Sequence, residues 1–106
     1  MLPLKVVFLW HQHQPDYRMD DVFLMPWTRL HGIKDYFDLP EVLYEFPAIK
    51  QTVNMVPSLS KQLYEYYTGK YRDRVQILTQ KNASLLDEKE KSEILNTFFR
   101  CQVENM

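Results

Sequence analysis

Two histidines, His11 and His13, end the stretch VVFLWHQHQPDY at residues 6–17, with Pro15 two positions beyond the second. An imidazole near neutrality can donate to or accept from a ligand hydroxyl, shuttle a proton or hold a metal. In an extended strand alternate side chains share a face, so His11 and His13 point one way and Gln12 the other. Pro15 has no N–H for a ladder and stops the strand. The pair therefore falls at the carboxyl end of the first strand, where parallel α/β barrels and open sheets bind substrates. Imidazoles there need polar partners, supplied either by a ligand or by the following loop. Metal chemistry would require a third protein ligand; His31, Asp16, Asp20 and Asp21 are the candidates, and spacing selects none.

Hydrolytic chemistry would need a pair of positioned carboxyl groups, about 5 to 9.5 Å apart depending on mechanism. None of the fourteen acids is isolated at a strand end, and Glu88, Glu90 and Glu93 read as the solvated face of a helix. Two glycines, never clustered, give no phosphate cradle. Ser58 and Ser60 lie at a helix start with no neighbouring histidine, and Ser58 reads as its cap. Asn54, near the carboxyl end of a second strand, occupies a position analogous to the histidines; it serves a cap or turn, or touches a ligand. Trp27, Arg29 and His31 lie on or just before the first helix, where Arg29 pairs with a loop aspartate or reaches the cleft.

The elements that would carry these residues follow from periodicity. Leu4 to Trp10 is β-branched and aromatic with almost no alternation, as expected of a parallel strand buried on both faces. Residues 14–26, with two prolines and three aspartates, read as a long connection. Leu30, Ile33 and Phe37 define a helix over 28–37, which Pro40 ends or kinks before a short second helix reaches Pro47. Ile49 to Val56 is the second strand. Pro57 then opens a helix that Gly69 stops. Residues 70–83 read as a loop with some helical character. Asp87 and Glu90 form a capping-box-like start for a last helix whose apolar stripe is Ile94, Leu95, Phe98, Phe99 and Val103. The fold class is therefore α/β with a parallel βαβα start. Two strands cannot protect both faces and edges of a parallel sheet, and the last helix has no later element to pack on. The expectation is the first part of a larger α/β barrel or sheet.

Composition narrows the function. The 106 residues are 45% hydrophobic and 25% charged with a formal charge of −1, ordinary globular usage with no basic surface for nucleic acid. The apolar run before His11 is far shorter than the roughly 20 residues that span a bilayer, and the N-terminus lacks a small-residue cleavage site. A single cysteine, Cys101, fits a reducing compartment and a packed side chain. The expected location is cytoplasmic, with no membrane partner. Aromatics make up 14% of the chain, enough for core packing and also the kind of side chain that grips sugar rings.

HQHQPDY, PWTRLHGIKDYFDL and QTVNMVPSLSKQL, in this order and at these separations, resemble the N-terminal region of glycoside hydrolase family 57, the α-glucan-active enzymes that include α-amylases, amylopullulanases and 4-α-glucanotransferases. LLDEKEKSEILNTFF is similar to the segment that follows in many members. The resemblance implies an incomplete (β/α)7 barrel, with residues 1–106 as an N-terminal piece of it. It also implies a retaining mechanism whose Glu nucleophile and Asp acid/base lie in downstream motifs, so no catalytic residue is expected in this chain. The family's first motif maps onto His13, Gln14 and Pro15, with His11 just before. His11, His13 and Gln14 are thus the expected substrate-binding residues, the histidine contacting the sugar next to the scissile bond. No cofactor and no metal are implied. The implied partners are an α-glucan or maltooligosaccharide and the remainder of the catalytic domain, and the piece alone is expected to be inactive. Two other readings stay open: a noncatalytic carbohydrate- or partner-binding relative, and a metal-dependent, deacetylase-like hydrolase with His11 and His13 as ligands.

Overall fold

The computed structural model describes residues 2–100. In chain order it contains strand β1 (Leu9–Gln12), a hairpin of β2 (Arg18–Met19) and β3 (Val22–Phe23), and helices α1 (Trp27–Ile33) and α2 (Asp35–Glu45). Strand β4 (Thr52–Met55), helix α3 (Pro57–Tyr67), strand β5 (Arg72–Asp73), helix α4 (Arg74–Gln80), a 3-10 turn at Ala83–Leu85 and helix α5 (Glu88–Thr97) follow. Strands β1 and β4 pair in parallel, Leu9 opposite Thr52 and His11 opposite Asn54. The expected βαβα opening is present. The ladder is extended at both ends by Thr52 N–H donating to Phe8 O (3.0 Å) and Val56 N–H donating to Gln12 O (3.2 Å).

Alternation along the two strands sorts their side chains onto two faces. Trp10 and Gln12 share one face with Val53 and Met55, and that face meets Tyr36, Leu39 and Pro40 of α2 around a cavity of about 240 Å3. Leu9, His11, Thr52 and Asn54 share the opposite face. The helical crossover thus covers the side away from His11.

The main apolar packing lies beside this sheet. Phe23, Leu59 and Leu78 are the buried hydrophobic residues among those described. Phe23 stacks on Tyr66 with ring centroids 4.7 Å apart and meets the edge of Tyr71 at 6.1 Å. Strand β3 is held between β2, antiparallel, and β5, parallel. Its hairpin turns at Asp20, whose φ of 51° is left-handed, a region aspartate tolerates better than most residues. Helices α1 and α3 approach closely at Gly32, where a Cβ would come within 2.8 Å of Leu63 Cδ2.

Several expectations are corrected. The first strand is short and late: Leu4–Phe8 forms no regular element, and Leu9 and Trp10 are 62% and 44% exposed rather than buried on both faces. β4 is the single pairing partner of β1 among the described residues, so the apolar run has nothing to lie against over most of its length. Residues 14–26 contain a hairpin rather than an irregular connection. The predicted helix over 28–37 breaks at Lys34 (φ −125°, ψ −80°), and Pro40 sits inside α2 instead of ending it. Residues 70–83 hold a strand and a helix, α4, started by a capping box between Asp73 and Gln76. Ser58 is not a cap; Val56 occupies that position, with Pro57 at the first helical turn. Gly69 does close α3, with φ 68°, and α5 has the expected Asp87–Glu90 capping box. Glu90 and Glu93 are not a free solvated face: Glu90 binds Lys81 at 2.6 Å and Glu93 binds Arg74 at 2.9 Å, tying α5 to α4. α5 ends at Thr97, so Phe98 and Phe99 of the predicted stripe lie past it, and Leu95, Phe98 and Phe99 are exposed. Val103 and Cys101 lie outside the described residues. No helix among the described residues is long and apolar enough to cross a membrane.

Candidate functional site

His11 is the third residue of β1, and Asn54 is the third residue of β4. The parallel register places them side by side, so the Asn54 amide nitrogen lies 3.3 Å from His11 Nδ1. Asn54 therefore neither caps α3 nor forms its turn; its side chain holds an imidazole. His13 lies one residue past the strand on the same side, its ring 5.8 Å from that of His11 and nearly perpendicular to it. Both histidines are exposed. The two imidazoles and the amide together present donors and acceptors to solvent at the carboxyl ends of two parallel strands.

Gln14 follows, with its side chain held from both ends. Its Nε2 donates to the Tyr36 hydroxyl of α2 at 3.2 Å, and its Oε1 accepts from the Tyr17 hydroxyl at 3.2 Å. A glutamine amide has two N–H donors and room for two bonds at oxygen, so one of each stays available in a fixed orientation. The Gln14 carbonyl accepts from Gln62 Nε2 of α3 at 3.2 Å, and Gln62 Oε1 accepts from Thr28 Oγ1 of α1 at 2.8 Å. Gln62 and Thr28 are each 1% exposed.

The chain beyond Pro15 is fastened to α3 by Arg18. Its guanidinium spans both oxygens of the buried Glu65 at 3.2 Å, binds Asp16 at 2.8 Å and lies 5.1 Å over the Tyr71 ring. The hydrogen bond that Arg18 donates to Asp16 is the chief cause that holds its guanidinium above its ordinary pKa. Arg29 pairs with Asp73 at 2.6 Å, the structural one of its two expected roles. The Tyr66 hydroxyl lies buried beside this pair with no hydrogen-bond partner. Burial first, then the negative charge of Asp73, pushes its pKa well above the ordinary phenol. A cavity of about 420 Å3 lined by Arg29, Gly32, Leu63 and Tyr66 opens between α1, α3 and α4, and neither histidine lines it.

Of the third ligands considered for a metal, Asp16 is taken by Arg18, His31 pairs with Asp35 on its own side of the crossover, and Asp20 and Asp21 form the hairpin turn. Among the described residues no three His, Cys, Asp or Glu side chains come together. The contacts not expected from sequence are those of Gln62, Thr28, Tyr17 and Tyr36. For Gln62 a signal exists: Leu59, Gln62 and Glu65 recur every third residue on one stripe of α3 and all are buried, and polar residues at core positions are placed to bond specific partners.

These strand ends lie in a stretch that also matches known proteins at the family level. Residues 7–102 match the family described as Glycosyl hydrolase family 57. Among curated proteins and among solved structures, nothing matches significantly. Since the match takes in both strands, both histidines and every helix described above, the chain belongs to glycosyl hydrolase family 57, whose full-length members are glycoside hydrolases acting on carbohydrate.

Proposed function

We propose that residues 1–106 form the opening segment of a (β/α)7 catalytic barrel in a retaining enzyme that hydrolyses or transfers α-glucan chains in the cytoplasm. His11, His13 and Gln14 contribute to the sugar-binding wall. The catalytic Glu and Asp come from sequence beyond this segment, so the segment alone turns over no substrate. One observation carries the reading: the crossover helices cover the Trp10 face of β1, while His11, His13 and Asn54 stand together on the other. In a parallel barrel helices lie outside and substrate enters at the carboxyl ends of the strands, so this arrangement suits an inward-facing site.

His13 would donate to a sugar hydroxyl in a bond that strengthens as the ring flattens toward an oxocarbenium-like state. The fixed amide of Gln14 offers a donor and an acceptor side by side, a match for neighbouring hydroxyls. The exposed far face of the sheet would be covered by the remaining strands and their side chains. The test is maltoheptaose turnover by the intact enzyme and by its His13→Ala variant. The variant should lose roughly ten- to a hundredfold in kcat/KM, the range for one hydrogen bond made chiefly in the transition state. Wild-type kinetics from the variant, or turnover by residues 1–106 alone, would refute the proposal.

A further inference from the structure

We infer that Gln62 is a positioning residue for the sugar-binding strand end, an inference that rests on the function proposed above. The buried Gln62 amide is satisfied at both ends, donating to the main-chain carbonyl of Gln14 at 3.2 Å and accepting from Thr28 at 2.8 Å. Its partner carbonyl lies one residue after His13 and belongs to the residue whose side chain is clasped by Tyr17 and Tyr36. The backbone past Gln12 has no ladder partner, since β4 ends opposite it, so the strand stops before Pro15 is reached. Gln62 supplies the missing restraint, joining that backbone to α3 and, through Thr28, to α1. A side-chain amide on a buried helix stripe must have both ends bonded to be tolerated. Here the two bonds also fix the height and direction in which His13 and Gln14 leave the strand. Gln62 makes no contact with sugar; it acts through the Gln14 main chain.

The experiment measures maltoheptaose kinetics and thermal stability of the intact enzyme carrying Gln62→Met, Thr28→Val, Leu59→Val or His13→Ala. Gln62→Met keeps length and removes both bonds, and the loosened strand end should lower kcat/KM by about tenfold, as active-site displacements well under 1 Å do. Thr28→Val leaves the Gln62 amide in place without its anchor and should give a smaller loss, which decides the question if Gln62→Met does not fold. Leu59→Val destabilises the same helix without touching these bonds, so it should lower Tm while leaving the kinetic constants of the folded enzyme unchanged. The inference is overturned if the Gln62 and Thr28 variants lower Tm but keep wild-type kinetics, or if Leu59→Val lowers kcat/KM as much as they do. Loss of activity in His13→Ala alone would then leave the proposed function standing, whereas wild-type kinetics in His13→Ala would remove that function itself.

Discussion

Replacing Asp73 separates the forces that join α1 to α4. The carboxylate is fully buried and accepts from Arg29 Nε at 2.6 Å, from Arg29 Nη2 at 3.4 Å and, as the N-cap of α4, from the Gln76 N–H at 2.8 Å. Breaking a buried ion pair by deleting one partner costs about 3–5 kcal/mol, mostly because the surviving charge is stranded. Arg29 keeps 22% of its side chain exposed and can rehydrate, so the lower end of that range applies. Loss of the cap adds about 1 kcal/mol. Asp73→Ala should therefore cost about 4 kcal/mol, a large share of the roughly 5–15 kcal/mol of a typical domain. Asp73→Asn keeps an oxygen for the cap and for one Arg29 bond while losing the charge, and should cost about half as much. Urea unfolding followed by far-UV circular dichroism measures both. Equal midpoints for wild type and Asp73→Ala would show that the pair does not hold these helices, and an Asp73→Asn variant as stable as wild type would show that the charge is not the main contribution.

Other perturbations have defined outcomes. Gly32→Ala gains about 1 kcal/mol of helix propensity but pushes its Cβ to 2.8 Å from Leu63 Cδ2. Leu63 can turn toward the adjoining cavity at a rotamer cost of about 0.5–1.5 kcal/mol, so thermal melting should show a change near zero, and a large loss would mean that Leu63 cannot move. At the α4–α5 junction, the hydrogen bond from Lys81 lowers the pKa of Glu90, and that from Arg74 lowers the pKa of Glu93. Groups whose folded pKa is depressed contribute stability that is present above their unfolded value, 4.5 here, and is lost as pH falls through the folded value. The helicity of α5 should hold at neutral pH and decline on acidification below that value; a decline beginning near neutrality would contradict this origin.

Much of this arrangement was legible in the sequence because it rests on local chemistry. Proline at a helix start, glycine at its end, and an acid three residues before a glutamate each satisfy backbone groups within one turn; α3 begins and ends accordingly, and α5 begins so but stops at Thr97, short of the apolar stripe that the sequence extends to Val103. The parallel pairing was legible from two β-branched runs separated by a helix. The Asp73–Gln76 box that starts α4 was equally local, yet the polar character of residues 70–83 concealed it. The hairpin was hidden because its strands are two residues each, too short for alternation to register. Burial of the first strand was overestimated for a different reason: an apolar run reports what could be buried, while actual burial depends on neighbours, and this strand has one. At the site, the shared face of His11 and His13 followed from alternation alone. That Asn54 would meet His11, and that Gln62 would reach Gln14 across 48 positions, depends on register and helix docking, which no local spacing encodes.

On the proposed function, the His11 face of the β1–β4 pair looks into a saccharide cleft. The most direct measurement is a crystal structure of the intact enzyme with a bound maltooligosaccharide. A glucose ring is expected at the carboxyl end of β1, with a hydroxyl within about 3 Å of an imidazole nitrogen of His13, a normal hydrogen-bond length. A sugar bound on the Trp10 and Val53 side, or a His11 face packed against a helix, would contradict it.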